Sequence, residues 1–334
     1  MRYLILGCGP AGIAAAKAVR KREKDAEIVI ATDETASPYL RPLLPDLVSG
    51  DADLSALADP QGEDLAALRI EVRKGKRAAK VDAGSKKVAF ADGTSEAYDA
   101  LLVATGGKPL LPPSAEGMGD HVIPFDSLAD AVRIKARASR PGTSVVHGPG
   151  FLAIEACRVL RKAGQEVVWL KPGEPRFGNP IAGEFEASVI NQIQYRGVAL
   201  KDGADIAGIA RRDGDTVAVR TTGGEEIRCG LVVVAGERLP CVGFLEGSGV
   251  KVGTGVLVDD YLRTNVHGIH AAGDCAELFD RESGTGRINF GWRSAIKQGQ
   301  LAGENMSGGG KLYIRSREDY LWLLFGPSLL ERHK

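Results

Sequence analysis

Nine residues at the start of the chain restrict its fold more than any later stretch. Leu4-Ile-Leu-Gly7-Cys8-Gly9-Pro10-Ala11-Gly12 sets three glycines in G-x-G-x-x-G spacing. The apolar run Tyr3–Leu6 before them reads as a buried parallel strand, and Ala14–Val19 after them opens a helix. Each glycine answers a steric need. Gly7 permits the tight strand-to-helix turn, Gly9 lets a pyrophosphate approach the backbone, and Gly12 lets the helix pack on the strand. The helix start, at Pro10 and Ala11, offers free N–H groups and the positive end of a dipole to phosphate oxygens. The spacing alone is a weak signal, and its setting gives it weight. Glu27–Ala31 is the next strand, followed by Asp33 and Glu34, where a ribose 2′-OH is usually bound. The stretch predicts a dinucleotide site.

The pattern recurs. Thr143–His147 is a strand, Gly148-Pro149-Gly150-Phe151-Leu152-Ala153 is G-x-G-x-x-A, Ile154–Lys162 is a helix and Glu166–Leu170 is a second strand. A repeat of the motif within one chain is far more specific than either copy. The ends of the two copies differ. Lys171 stands where Glu34 stood. A cation there suits a 2′-phosphate and hence NADPH, where an acid would suit NADH; Lys171 as a plain solvated strand-end lysine fits equally well. Arg176 is a second possible phosphate partner.

Composition narrows the remaining classes. A chain of 334 residues holds two domains with a core each. Its 43 basic and 43 acidic residues cancel, which gives no sign of nucleic acid or an anionic membrane as partner. Arg2, a short apolar run and small residues superficially imitate a signal peptide, but the glycine pattern accounts for the same residues more completely. No stretch approaches the ~20 apolar residues of a membrane span. A cytoplasmic protein is expected. Cys8, Cys157, Cys229, Cys241 and Cys275 are scattered without a C-x-x-C, which excludes a local zinc ribbon or a thioredoxin-type pair and suits buried thiols in a reducing compartment. No metal site is expected. His147 and His270, at strand ends, read as structurally satisfied.

Between and after the two copies the chain alternates short strands with turns. Ser37-Pro38-Tyr39-Leu40-Arg41-Pro42-Leu43-Leu44-Pro45 cannot start as a regular helix. It is a stiff loop that sets Tyr39 and Arg41 near the bound nucleotide, or a surface proline loop. Strands are expected at 69–73, 78–81 and 87–90, with Asp92-Gly93 as a hairpin turn. Tyr98–Val103 is a buried strand ending in Ala104-Thr105-Gly106-Gly107. Residues 109–124, rich in Pro and Gly, suit a crossing between domains. Helices are expected at 128–138, 182–196 and 294–306, and strands at 198–200, 217–221 and 231–235, the last leading to Gly236-Glu237-Arg238. A further strand ends at Gly273-Asp274, where an aspartate beside a glycine can bond a sugar-like chain close to the backbone. Ser307–Gly310 is a flexible break, and the last stretch carries an apolar segment, Tyr320–Phe325.

These motifs together resemble the FAD-dependent pyridine-nucleotide oxidoreductases with two dinucleotide-binding domains. Residues 33–44 are similar to the loop of the ferredoxin-reductase, rubredoxin-reductase and nitrite-reductase large-subunit branch. Ala104-Thr105-Gly106 matches the family's A-T-G crossing. Residues 148–155 match its NAD(P)H motif, including Glu155, and Gly236-Glu237-Arg238 resembles the second crossing. Ala271-Ala-Gly273-Asp274 matches the second FAD motif, and Trp292 with Gln298-Gly299 resembles the segment beside the isoalloxazine. The resemblance implies an α/β protein of two Rossmann-like domains. An NAD(P)H domain at 109–240 is inserted into an FAD domain at 1–108 and 241–310, and 311–334 form a short tail. It assigns Gly7, Gly9, Pro10, Ala11, Gly12, Asp33, Glu34, Arg41, Pro42, Ala104, Thr105, Gly106, Gly273, Asp274 and Trp292 to FAD. To NADH or NADPH it assigns Gly148, Gly150, Phe151, Leu152, Glu155, Lys171 and Gly236.

The implied chemistry is hydride transfer from reduced nicotinamide to FAD. Electrons then pass to rubredoxin, ferredoxin, another iron–sulfur protein or a neighbouring subunit. Three departures qualify it. No cysteine pair follows the first βαβ unit, so a dithiol relay is excluded. Asp46 stands where the branch carries a lysine that pairs with a glutamate near flavin N5, so the hydride step is tuned differently or absent. Only 24 residues follow Gly310, where relatives continue with an interface domain of roughly a hundred residues, an ordinary domain size. Two alternatives follow. One is an electron-transfer subunit of a larger complex, of open oligomeric state. The other is a flavin- or nucleotide-binding redox sensor without turnover, resting on Asp46 and Lys171.

Overall fold

The structure, a computed structural model, describes residues 1–59, 64–173, 183–280 and 284–314. It separates into two units. Among the described residues the first holds Met1–Tyr39, Ala58–Lys108 and residues 239–314; the second holds Leu40–Leu57 and Pro109–Arg238. Arg176 and Tyr320–Phe325 lie outside the described residues.

The first unit is organised on a five-stranded parallel sheet in the order Ile269–Ala271, Ala100–Val103, Arg2–Leu6, Glu27–Ala31, Ile70–Arg73. Tyr3, Leu4, Ile5, Leu101 and Leu102 are fully buried. Such unbroken apolar runs suit strands covered on both faces. The helix Pro10–Arg22 is alanine-rich because a second helix, Trp292–Met306, crosses it with no room between. A Cβ on Gly299 would come within 2.0 Å of the Ala11 carbonyl oxygen, and one on Gly303 within 2.4 Å of that of Ala15. Two small three-stranded sheets flank this core: Ala78–Asp82 with Lys87–Phe90 and Ser95–Ala97, and Val256–Val258 with Ala276–Asp280 and Thr285–Ile288.

The second unit repeats the plan. Its parallel sheet runs Val198–Asp202, Glu166–Lys171, Thr143–His147, Leu231–Val234, Val122–Pro124. The helix Leu128–Ala138 starts on a capping box in which Ser127 and Asp130 satisfy each other's backbone N–H groups. Ile206–Arg212, Thr216–Thr221 and Glu226–Cys229 form an antiparallel meander. The protein is thus α/β, with two Rossmann-like units, the second interrupting the first.

The proline run departs from the expected loop. Arg41–Leu43 is a 3₁₀ turn and Leu44–Ser49 a short helix, ended by Gly50 at φ 80°. Pro42 and Pro45 fall in the first turns of these elements, where a fixed φ and a missing N–H do no harm. This helix packs on the helices Leu128–Ala138 and Phe151–Lys162. Residues 40–57 therefore belong to the second unit, whereas the boundary drawn from the sequence keeps them in the first. Among the described residues no helix is long and apolar enough to cross a membrane.

Candidate functional site

In the first unit the strand ends Leu6, Ala31, Val103 and Ala271 lie along one edge of the sheet. The chain leaves Arg2–Leu6 for neighbours on one side and later returns on the other. The crevice at this switch, at the C-terminal strand ends, is where open α/β sheets bind ligands. Gly7 sits in it at φ 110°, and a Cβ there would stand 2.2 Å from the Ala104 carbonyl oxygen. Its N–H donates to the Ala31 carbonyl at 2.7 Å. A Cβ on Gly12 would meet the Gly7 carbonyl at 2.0 Å. Gly9 differs: no atom lies within 4 Å of a Cβ built there, and Gly9 caps the Pro10–Arg22 helix without any side-chain hydrogen bond. Two glycines are needed for internal packing, and the third leaves open space at a helix start that no side chain caps. This is the arrangement a pyrophosphate requires, so the residues fit a dinucleotide.

The same edge gathers other predicted residues. Gly273, at φ 79°, packs on Ala11 and Ala295. The neighbouring Asp274 carboxylate accepts from the N–H of Gly291, which precedes Trp292 and the helix that starts there. Thr105 Oγ1 donates to the Cys241 carbonyl at 2.8 Å, and the Cys241 N–H donates to the Gly106 carbonyl at 2.9 Å, which ties the Ala104-Thr105-Gly106 turn to the returning chain. Asp33 and Glu34 follow the second strand. Arg41 and Pro42 belong to the second unit, where the Arg41 guanidinium donates to the Asp126 carbonyl at 2.7 Å and to its carboxylate at 3.2 Å. Arg238 also pairs with Asp126.

The second loop has the same construction. A Cβ on Gly148 would lie 2.4 Å from the Ala235 carbonyl oxygen, beside Gly236. Gly150, at φ 87°, caps the helix that begins at Phe151 and Leu152. The sequence reading missed a support here: the buried Trp169 indole N–H donates to the Gly148 carbonyl at 2.9 Å and holds the loop's first turn. Lys171 pairs with Asp202 of the adjacent strand at 3.2 Å.

The position of Asp46 carries a second missed residue. Arg158 donates to the Glu155 carboxylate at 2.7 Å and to that of Asp46 at 3.3 Å. It lies one helical turn beyond Glu155, a spacing at which side chains meet. A cation therefore sits beside both carboxylates, supplied by the helix and not by the proline loop. Lys162 pairs with Asp51 in the same way.

None of the five cysteines is in a disulfide. Burial, with help from the Glu34 carboxylate, pushes the Cys8 thiol up to about 12; burial takes Cys229 to about 12, Cys275, with help from the Asp274 carboxylate, to about 11, and Cys157 upward as well. None of these four offers a thiolate at neutral pH. His147 Nε2 bonds Asp205 at 2.7 Å. His270 departs from the expected satisfied histidine: neither ring nitrogen has a partner among the described residues, and burial lowers its pKa to about 4. Its buried ring is neutral at neutral pH. Among the described residues no cluster of His, Cys, Asp and Glu is able to hold a metal ion.

The sequence model of pyridine nucleotide-disulphide oxidoreductases matches residues 1–302. The chain belongs to that family. Rhodocoxin reductase of Rhodococcus erythropolis is 29% identical over 83% of this chain and 65% of its own length, so the chain spans a little under two thirds of that relative. NADH-rubredoxin oxidoreductase of Clostridium acetobutylicum is 27% identical over 92% of this chain and 75% of the relative. The crystal structure of the ferredoxin reductase for the CYP199A2 system of Rhodopseudomonas palustris is 26% identical. It covers 94% of this chain and 78% of its own with a TM-score of 0.84. These names fall in the branch that residues 33–44 resemble.

Proposed function

We propose that the protein is an FAD-dependent NAD(P)H oxidoreductase that passes electrons to a small redox protein or iron–sulfur partner. One observation carries this reading: two loops of matching backbone construction, each at the C-terminal edge of a parallel sheet, in a single chain of this family. The first unit takes FAD. Gly9 and the N–H groups after Pro10 bind pyrophosphate, Glu34 takes the adenosine ribose, and Gly273-Asp274 takes the ribityl chain. The second unit takes NADH or NADPH at Gly148–Leu152. The chemistry that a bound flavin supplies is acceptance of a hydride from nicotinamide and release of electrons singly or in pairs. The chain's own part is to hold and orient both cofactors.

The buried, protonated thiols support a route with no dithiol relay. Cysteines outside any disulfide also suit a reducing compartment, and we place the protein in the cytoplasm. Arg158 beside Asp46, and Asp202 beside Lys171, compensate the two charges on which a non-turnover sensor rested. Anaerobic stopped-flow mixing of the purified protein with NADH and with NADPH tests the reading. Bleaching of the flavin's visible bands by at least one nucleotide is expected. A flavin-loaded protein that neither nucleotide bleaches would refute it, as would a protein that binds no flavin.

A further inference from the structure

Beyond the motifs, a buried polar chain leads from the Gly273-Asp274 loop to a residue past the end of the family match at 302. The Gly273 N–H donates to Gln298 Oε1 at 2.9 Å, and the Gln298 amide nitrogen donates to Ser294 Oγ at 3.0 Å. Ser294 Oγ lies 3.3 Å from the Tyr313 hydroxyl, which also accepts from Asn289 Nδ2 at 3.2 Å. Gln298 is 0% exposed, Ser294 1%, and Tyr313 and Asn289 6% each. A buried polar chain of this kind holds its geometry only while every member is satisfied.

Tyr313 sits on a strap that is itself tied down at several points. The Lys311 N–H donates to Asn305 Oδ1 and its carbonyl accepts from Asn305 Nδ2, both at 2.9 Å. The Tyr313 N–H donates to the Asp260 carbonyl at 2.7 Å. Lys297 donates to the Ile314 carbonyl at 2.7 Å and stands 5.4 Å from the centre of the Tyr313 ring. Residues 311–314 are thus closed over the Trp292–Met306 helix, with one side chain turned into the core.

We propose that Tyr313 is a positioning residue for the FAD site, acting through Ser294 and Gln298 on the backbone N–H of Gly273. Removing its hydroxyl leaves Ser294 and Asn289 buried beside an apolar ring edge. Ser294 then loses the partner that orients its hydroxyl, the oxygen on which the Gln298 amide rests is no longer fixed, and the Gly273 N–H loses a fixed acceptor. Because Gly273 packs directly on Ala11, loosening it disturbs both parts of the first unit's edge at once. The ligand named here rests on the FAD reading above; the polar chain does not.

The test uses Tyr313→Phe, Ser294→Ala and the double variant in the full-length protein. Amide hydrogen exchange of the FAD-free protein is followed at Gly273 and at Leu101 in the central sheet, and FAD is titrated into each. Tyr313→Phe is expected to speed exchange at Gly273 about tenfold, leave Leu101 unchanged and weaken FAD binding about five- to tenfold. Ser294→Ala should match it, and the double variant should be no worse, since the residues act in series. Unchanged exchange at Gly273, equal loss of protection at Leu101, or additive effects in the double variant would each overturn the proposal. A wild-type protein that binds no FAD would sink the functional reading alone, and exchange at Gly273 would still decide the role of Tyr313.

Discussion

The two units solve the same backbone problem and cover the solution differently. Gly7 N–H donates to the Ala31 carbonyl at 2.7 Å and Gly148 N–H to that of Leu170 at 3.2 Å; Ala104 N–H donates to Leu6 and Ala235 N–H to His147, both at 2.8 Å. Below each loop the construction is shared. Above it, the helix Pro10–Arg22 meets the glycines of a second helix, backbone against backbone. The helix Phe151–Lys162 instead presents Glu155, Arg158 and Lys162 to Asp46 and Asp51. One joint is dry and tolerates no added atom. The other is ionic, tolerates changes of shape, and depends on charge. The loop chemistry fixes one side of each helix and leaves the covering side open to either solution.

The largest effect expected from breaking this contrast is in the dry joint. Gly299→Val sets a branched side chain where even a Cβ would meet the Ala11 carbonyl at 2.0 Å. Neither backbone yields without separating the helices, so a loss of at least about 3 kcal/mol is expected, at the upper end for overpacking. With two units, unfolding need not be a single transition. Hydrogen exchange resolved by unit should show the loss in the first and little change in the second. Equal loss in both would show that the joint does not belong to the first unit alone.

Next comes acid stability, again in the first unit. Burial lowers His270 from 6.5 to about 4, against the opposing pull of Asp259. The unfolded chain therefore takes up the proton first. The contribution is complete above about pH 6.5 and is lost as pH falls toward 4, amounting to about 3 kcal/mol at 1.36 kcal/mol per pK unit. His270→Leu should flatten stability between pH 6.5 and 4. A denaturant midpoint that falls as steeply in the variant as in the wild type would remove His270 as the cause.

How much of this was legible beforehand follows from the range of the interactions. The Gly7 and Gly148 loops, their strands and the helix Leu128–Ala138 are written in neighbouring residues, and their limits are read to within a few positions. The helix Leu44–Ser49 was missed because its prolines look like helix breakers until their place in the first turn is known. Arg158 was visible as an i,i+3 partner of Glu155, but its bond to Asp46 joins residues 112 apart in sequence. Trp169 read only as part of the strand Glu166–Leu170, since nothing local shows that its N–H reaches Gly148. His270, in an apolar strand, gave no sign that both nitrogens would be left without partners. The meander Ile206–Cys229 was only partly read because half its residues face water and its alternation is weak.

The ionic joint gives a smaller effect. Side-chain exposures of 23% for Arg158, 13% for Asp46 and 11% for Glu155 place the triad between a surface pair and a buried one. Arg158→Met keeps the length and removes the charge, leaving two carboxylates facing each other. A loss of about 2 kcal/mol is expected, below the 3–5 kcal/mol for breaking a fully buried pair. Arg158→Lys should recover part of it, since a lysine cannot reproduce the fork of donors. The wild-type second unit should weaken in about 1 M salt, where the Debye length is about 3 Å, while the dry joint of the first should not. A variant as stable as the wild type would mean that packing alone holds residues 40–57 in place.

The smallest effect on stability is expected at Gly9, and it separates packing from binding. Gly9→Ala adds a Cβ with nothing within 4 Å, at φ −85° and ψ −174°, a conformation alanine adopts freely. Alanine is a poorer N-cap than glycine by about 0.5–1 kcal/mol, and restricting the unfolded chain returns about 0.4–1 kcal/mol. The two nearly cancel, so the FAD-free protein should unfold within about 0.5 kcal/mol of the wild type. On the proposed reading the added methyl stands where the pyrophosphate touches the backbone, so FAD titrated into the variant should bind at least about tenfold more weakly, a loss of about 1.4 kcal/mol. Stability and binding lost together would make Gly9 one more packing glycine like Gly7. Both retained would place the phosphates elsewhere on the edge. Stability kept and affinity lost is the result that a loop built for a ligand, and not merely for a turn, requires.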